Sequence, residues 1–320
     1  MSKPQSPSNP YASATTKLGG GGEDFHKRTT ARLEQIQSQL EVTPRKDRLK
    51  GKVCIITGVG SLLGIGRATA LQFAHEGATH LYLLDLDGTN LPELKATIEK
   101  RYPDVKVTTL AADATNESAI AGVCKQAIQE EGRLDVFFAN AGMASKDHLR
   151  NITSEGFMKI MAVNTLSCFL AIKYASEMMM KPNLSRGKEF SGGSIILTAS
   201  VAGLRSGGGP LDYSASKAAV NNMAQTAACQ LRMSDIRVNS ICPGLIETGM
   251  TTGVFQYARS KGTGPKIGQL NPLGRYGVSQ EIANVALFLA SDESSYVNGQ
   301  NVVADGGLSS SFPVIPGRWS

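Results

Sequence analysis

A chain of 320 residues, 41% hydrophobic and 19% charged, can bury a sizeable core as one large domain or two small ones. Its net charge of +6 sits mostly at the start: residues 1–50 hold nine Lys/Arg against five Asp/Glu, so the rest carries only +2 and gives nucleic-acid binding little support. The five cysteines (Cys54, Cys124, Cys168, Cys229, Cys242) are odd in number and lack a CxxC pair, which suits buried thiols in a reducing compartment better than a disulfide frame or zinc site.

The first 22 residues, MSKPQSPSNPYASATTKLGGGG, have no apolar signal region. They lack acids, but Pro4, Pro7 and Pro10 break any early helix and no Arg precedes Arg28, which speaks against a mitochondrial presequence. We expect a flexible lead over 1–22 and a cytoplasmic protein. No apolar run approaches the roughly 20 residues of a bilayer span, so no membrane partner is expected. Residues 24–41 then read as an amphipathic helix lying against the domain, with Leu33, Ile36 and Leu40 on one face.

From Lys52 a strand–helix alternation takes over. Strands are predicted at 52–57, 80–85, 105–111, 134–139, 194–199, 236–242 and 300–304, several of them apolar almost throughout, as strands covered on both faces should be. Helical stretches lie between them, including a run from Asn164 to Met180 and SASKAAVNNMAQTAACQLRM. The prediction is a single Rossmann-type, doubly wound α/β domain with a seven-stranded parallel sheet over 48–310, preceded by an extension (1–47) and followed by a tail (311–320). Ligands of such sheets bind at the carboxyl ends of the strands, so the chemistry should lie in the loops that follow them.

The first such loop is VCIITGVGSLLGIG, residues 53–66. A phosphate at a helix N-terminus needs open backbone N–H groups and no obstructing side chain. Gly58 gives the sharp exit from the strand, and Gly64-Ile65-Gly66 opens the helix. Five residues separate Gly58 from Gly64, two more than the usual nucleotide loop, which predicts a longer rim at Gly60 and Ser61. Asp85 ends the second strand nineteen residues after Gly66; a carboxylate there accepts from the adenosine ribose hydroxyls and repels a 2′-phosphate, favouring NAD over NADP.

Tyr213 and Lys217 stand four apart in YSASKAAV, on one face of a helix. A free phenol titrates near 10 and is a poor base at neutral pH, while a neighbouring ammonium favours the phenolate. Such pairs are common on surface helices; Ser200, thirteen residues earlier, together with Asn164, marks this one as chemical. By contrast His26, His75, His80 and His148 lack metal-ligand spacing, so no metal is expected, and no GxSxG motif supports a hydrolase triad.

From about Lys52 to Leu308 the chain resembles the short-chain dehydrogenase/reductases. The resemblance rests on the glycine loop, Asp113 in LAADAT, Asn140-Ala141-Gly142, Asn164 in VNT, Ser200 in LTAS, YSASK, Pro243-Gly244 and the closing NPLGRYGVSQEIANVALFLASDESSYVNGQNVVADGG. It implies that Tyr213 is the general acid/base, that Lys217 lowers its pKa and holds the nicotinamide ribose, that Ser200 hydrogen-bonds the substrate oxygen, and that Asn164 positions a water on the proton path. Cofactor contacts follow for Gly58, Gly60, Ser61, Gly64, Ile65, Gly66, Asp85, Asp113 and Asn140, with Ile246 and Thr248 against the nicotinamide. The implied activity is NAD-dependent oxidation of a secondary alcohol or reduction of a ketone, by a homotetramer or dimer, with residues 249–270 as a lid. The alternatives are an NADP-dependent carbonyl reductase, against which Asp85 speaks and for which Arg67 counts little because it reads equally as a surface residue at the helix start, and a non-catalytic nucleotide sensor. Two departures are the longer glycine loop and ANAG, where Ala139 replaces the commoner first Asn.

Overall fold

The computed structural model describes residues 22–145 and 147–311. The predicted lead, apart from Gly22, and the tail beyond Ser311 lie outside these residues. In chain order the helices are α1 (Gly22–Gln37), α2 (Gln39–Val42), α3 (Ile65–His75), α4 (Leu91–Arg101), α5 (Glu117–Glu131), α6 (Ser154–Met161), α7 (Ser167–Met179), α8 (Leu211–Gln230), α9 (Thr252–Ser260) and α10 (Ser279–Ala290). The strands are β1 (Val53–Thr57), β2 (His80–Asp85), β3 (Lys106–Ala111), β4 (Val136–Ala139), β5 (Gly193–Thr198), β6 (Ile236–Pro243), β7 (Ile246–Glu247), β8 (Gly277–Val278) and β9 (Asn301–Ala304).

As predicted, seven strands form one parallel sheet; their order is β3-β2-β1-β4-β5-β6-β9. Their unbroken apolar runs follow from burial on both faces. In β1, Cys54 and Ile56 enter one core layer while Val53 and Ile55 enter the other; in β2, Leu81 and Leu83 part from Tyr82 and Leu84 in the same way. The first layer is closed by α3, α4 and α10 through Phe73, Leu94 and Leu287. The second is closed by α5, α7 and α8 through Val123, Ala171 and Val220. Each fully buried Leu, Ile or Phe contributes about 1.5–3 kcal/mol. The order reverses between β1 and β4, which opens a crevice at their carboxyl ends.

Three local readings are corrected. The single helix expected over 24–41 breaks at Ser38: its N–H still donates to the Glu34 carbonyl, but its hydroxyl donates to the Gln35 carbonyl and its own carbonyl accepts from the Glu41 N–H only three residues on. Strand β4 begins at Val136 rather than Leu134, because the Asp135 carboxylate turns aside to accept from the Val53 N–H and the Arg133 guanidinium. Arg67 is not a surface residue: its side chain is 11% exposed and is paired with Glu93.

The helical run Ser154–Met179 is long and apolar enough to cross a membrane by length and composition. Here it lies against the sheet, with Ile160, Leu170, Ala171, Ala175, Met178 and Met179 buried, and it carries Asn164 into the interior. It is accordingly a helix of the α/β layer, interrupted by a π-helical turn at Ala162–Leu166.

Candidate active site

The crevice is built from strand ends. Thr57, the last residue of β1, accepts at its hydroxyl from the N–H groups of Asn140 and Ala141, both at 3.1 Å. Asn140 in return donates its amide to the carbonyls of Thr57 and Gly58 and accepts from the Thr198 hydroxyl. Its side chain thus joins the ends of β1, β4 and β5. What Asn140 can give a cofactor is the placement of the loop rather than a free amide.

The glycine loop is shaped for close approach. Gly58 has φ +75°, and a Cβ there would lie 2.8 Å from the Ala141 Cα; a Cβ on Gly66 would lie 2.3 Å from the Gly58 carbonyl oxygen. Gly64 caps α3 with no side chain, and no acid lies in the first turn, so the helix start keeps its N–H groups open with Ile65 and Gly66 behind it. The two extra residues form a rim. Gly64 N–H donates to the Ser61 carbonyl, the Ser279 hydroxyl donates to the Leu63 carbonyl, and a Cβ on Gly249 would lie 2.5 Å from the Ser61 hydroxyl. The longer loop therefore reaches the segment following β7.

Asp85 sits over this loop. One carboxylate oxygen accepts from the Gly60 N–H at 2.7 Å and the other from the Asp87 N–H at 3.0 Å, so its position is fixed by backbone. Gly60 also accepts from the Asn90 amide, and has no room for a Cβ against Asp85. Asp113, after β3, is exposed and accepts from the Thr115 N–H. A bare helix start, glycines that admit backbone contact and a fixed carboxylate fit a dinucleotide.

Next to the loop lies a second constellation. Lys217 is 2% exposed; its ammonium donates to the Thr198 carbonyl at 2.7 Å and stands 5.7 Å from the centroid of the half-buried Tyr213 ring. Asn164 is fully buried in the π-turn. Its Oδ1 accepts from the Met143 N–H at 2.8 Å, and its Nδ2 donates to the Met143 carbonyl and the Ser216 hydroxyl. Ser216 in turn donates to the Tyr213 carbonyl at 2.7 Å. A Cβ on Gly142 would lie 3.2 Å from Asn164 Oδ1 and 3.4 Å from Lys217 Nζ, so the ANAG loop closes over both.

Ser200 is buried and accepts from the Ala202 N–H at 3.1 Å, which leaves its own proton free to donate. It is held beside α8 by Gly203, whose Cβ would lie 2.5 Å from the Lys217 carbonyl carbon. The four predicted residues Asn164, Ser200, Tyr213 and Lys217 are thus brought together. Ser216, Thr198 and the Met143 backbone complete the set. Ser216 was visible as the residue three after Tyr213, on the same helical face, but nothing in the sequence distinguished it from a packing serine.

Ile246 is buried on β7, and its carbonyl accepts from the Thr251 hydroxyl at 2.6 Å. The Thr248 N–H donates to the same hydroxyl. Both follow β6 at the carboxyl edge of the sheet. His75 and His80 serve packing, through Tyr102 for the first and Glu131 and Thr108 for the second. A cavity of about 360 Å³ opens at the opposite, amino ends of β1, β4, β5 and β6. Its cations are satisfied internally: Arg133 by Asp135, Lys52 by Asp292, and Lys188 and Arg237 by carbonyls. That cavity takes no part in the crevice.

Residues 58–309 match the family model described as Enoyl-(Acyl carrier protein) reductase. The chain belongs to the short-chain dehydrogenase/reductase family. It is similar to 3-oxoacyl-(acyl-carrier-protein) reductase of Thermotoga maritima, 40% identical over 82% of this chain and 99% of the relative. It is also similar to levodione reductase of Leifsonia aquatica, 34% identical over 83% of this chain and 97% of that enzyme. A crystal structure of levodione reductase superposes with a TM-score of 0.74 at 34% identity, covering 82% of this chain and all of the other. Meso-2,3-butanediol dehydrogenase of Serratia marcescens is 31% identical over 82% of this chain. The protein is accordingly an oxidoreductase that transfers a hydride between a nicotinamide cofactor and an alcohol or ketone.

Proposed function

We propose that this enzyme interconverts a secondary alcohol and its ketone with NAD(H), using Tyr213 as the proton-transfer group. The observation that carries the reading is the fixed position of Lys217, buried beside the Tyr213 ring and anchored to the end of β5. An ammonium there is a hydrogen-bond donor placed beside the phenolic side chain. In the direction of reduction Tyr213 gives its proton to the substrate oxygen, and Ser200 donates a hydrogen bond to that oxygen as negative charge develops. The nicotinamide supplies the hydride. Tyr213 recovers its proton along Lys217 and a water at Asn164. Because the Asn164 amide is committed to Met143 and Ser216, the group left for that water is its main-chain carbonyl in the π-turn.

Asp85 supports NAD over NADP, since a carboxylate fixed by two backbone N–H groups repels a 2′-phosphate; Arg67 pairs with Glu93 through one terminal nitrogen, while its other is buried without a partner. The substrate is an apolar or neutral ketone, a reading supported by Met250, Val254 and Tyr257, which are exposed in the segment beyond β7. We read the assembly as a dimer or tetramer in the cytosol. The decisive experiment is Tyr213→Phe assayed by NADH absorbance on a ketone and alcohol panel. We expect cofactor binding to persist and turnover to fall by orders of magnitude. Activity within about tenfold of wild type, or roughly 1.4 kcal/mol of barrier, would remove Tyr213 from this role.

A further inference from the structure

The family model begins at residue 58, so α1 lies outside it, yet this helix is not loosely attached. Leu33 and Ile36 are 6% and 7% exposed, and they form a small apolar cluster with Val278 and Tyr276 that is separate from both layers of the main core. Those two partners belong to the stem of the segment between β7 and β8. Val278 is the second residue of β8, paired in parallel with Glu247 of β7, and Gly277 pairs with Ile246. Tyr276 packs edge-on against Phe255 of α9, ring centroids 4.8 Å apart, and Phe255 is fully buried.

From α1 two contact routes therefore enter the site. One passes through Val278 and the β7–β8 ladder to Ile246 and Thr248. The other passes through Tyr276 to the helix of the lid.

Backbone bonds hold the stem locally: the Gly277 N–H donates to the Leu245 carbonyl, the Leu273 N–H to the Gly306 carbonyl, and the Asn271 amide to the Arg275 carbonyl. Its ladder is two residues long on each side. Beyond that, Glu281 ties Arg275 and the Val278 N–H at the start of α10, and Glu247 pairs with Arg259. A two-residue ladder is marginal alone, so the apolar cluster under it weighs heavily in setting how often the segment opens.

We propose that α1 is a clamp on the lid stem, with Leu33 and Ile36 as positioning residues that hold residues 248–276 closed over the substrate. Reading that segment as the lid rests on the proposed function; its attachment to α1 does not. Contact with α1 fixes β8, β8 fixes β7, and the closed lid is the state that binds substrate. The clamp therefore acts on substrate capture and leaves the cofactor loop and the proton relay in place.

The test uses the full-length protein carrying Leu33→Ala and Ile36→Ala. Two readouts need no substrate: hydrogen exchange across 248–276, and tryptic cleavage after the exposed Arg259, Lys261 and Lys266. Both should rise about tenfold, from the loss of two buried side chains under a marginal element. Exchange in β1 to β6 should stay at wild-type values. With any ketone the wild type reduces, KM should rise several-fold with kcat held within about twofold.

Unchanged exchange and cleavage in 248–276 would overturn the clamp. If the double variant loosens the core as well, the milder Ile36→Val decides: exchange raised in the lid alone supports the proposal, and exchange raised uniformly or nowhere overturns it. If the wild type reduces no ketone, the functional reading fails, while exchange and cleavage still decide whether α1 holds the segment.

Discussion

The ammonium of Lys217 donates to the carbonyl of Thr198 across 2.7 Å, joining the helix that carries Tyr213 to the last residue of β5. A lysine held this way is placed in three dimensions by one bond, with two N–H groups left to face the phenol and a ribose. Arginine cannot substitute, because its planar fork is wider and needs a different approach to the carbonyl. We expect Lys217→Arg to lose about 100-fold or more in kcat, the usual scale for a misplaced acid–base partner. NADH binding, measured by its fluorescence, should weaken far less. Near-wild-type kcat would show that charge alone suffices and that the Thr198 anchor is incidental.

Asp85 has two duties that a single substitution can separate. Its carboxylate accepts from Gly60, which sets the rim of the glycine loop, and in the proposed function its charge repels a 2′-phosphate. Asp85→Asn keeps an oxygen for the Gly60 N–H and removes the charge. The ratio of kcat/KM for NADH over NADPH should fall by about tenfold or more, roughly 1.4 kcal/mol of discrimination. Thermal stability should change little. A wild type that already prefers NADPH, or an unchanged ratio in the variant, would contradict the role given to Asp85.

The seven strands were legible because each is covered on both faces, so its apolar run is continuous and strand length is the main ambiguity. Asp135 shows how that length is set in the folded chain: a side chain can take the N–H of a neighbouring strand and end the ladder early. The strands β7 and β8 could not be read, since two residues carry no period. Tyr213, Lys217 and Asn164 were legible as a pattern. The partners Met143 and Thr198 were not, because they act through backbone atoms that any residue supplies.

Leu166 and Phe169 in the π-turn and α7, Met158 in α6 and Leu211 at the start of α8 are exposed apolar side chains on neighbouring helices. Such a surface fits the covering of these helices by a second copy. Phe169→Glu places a charge in that contact and should lower the mass measured by light scattering at micromolar concentration, without altering the far-ultraviolet helix signal. A wild type that is already monomeric, or a variant with unchanged mass, would rule out this face.

The segment before β1 is pinned to the end of α3 by a buried carboxylate. Glu76 is 0% exposed; it accepts from the Arg48 guanidinium at 2.9 Å and from the N–H groups of Lys46 and Arg48. Burial alone pushes its pKa up, but the Arg48 side-chain bond, the backbone bonds and the Arg48 charge outweigh it, so the folded value lies below the ordinary 4.5. A carboxyl with a depressed folded pKa binds fewer protons than in the unfolded chain. Its stabilisation is therefore complete above the ordinary glutamate range and is lost as pH falls through the folded value. Glu76→Gln retains acceptors for the N–H groups but leaves Arg48 without its buried counter-charge, at a cost of about 1.5–3 kcal/mol near pH 7. The gap between the urea midpoints of wild type and variant, measured from pH 7 down to about 3.5, should narrow toward the acid end, because protonation does to the wild type what the substitution has already done. Glu131 and Glu281, whose folded pKa values are also lowered, are present in both proteins and cancel in the difference. A gap between the two midpoints that stays constant across this range would mean that Glu76 acts by shape and hydrogen bonding rather than by charge.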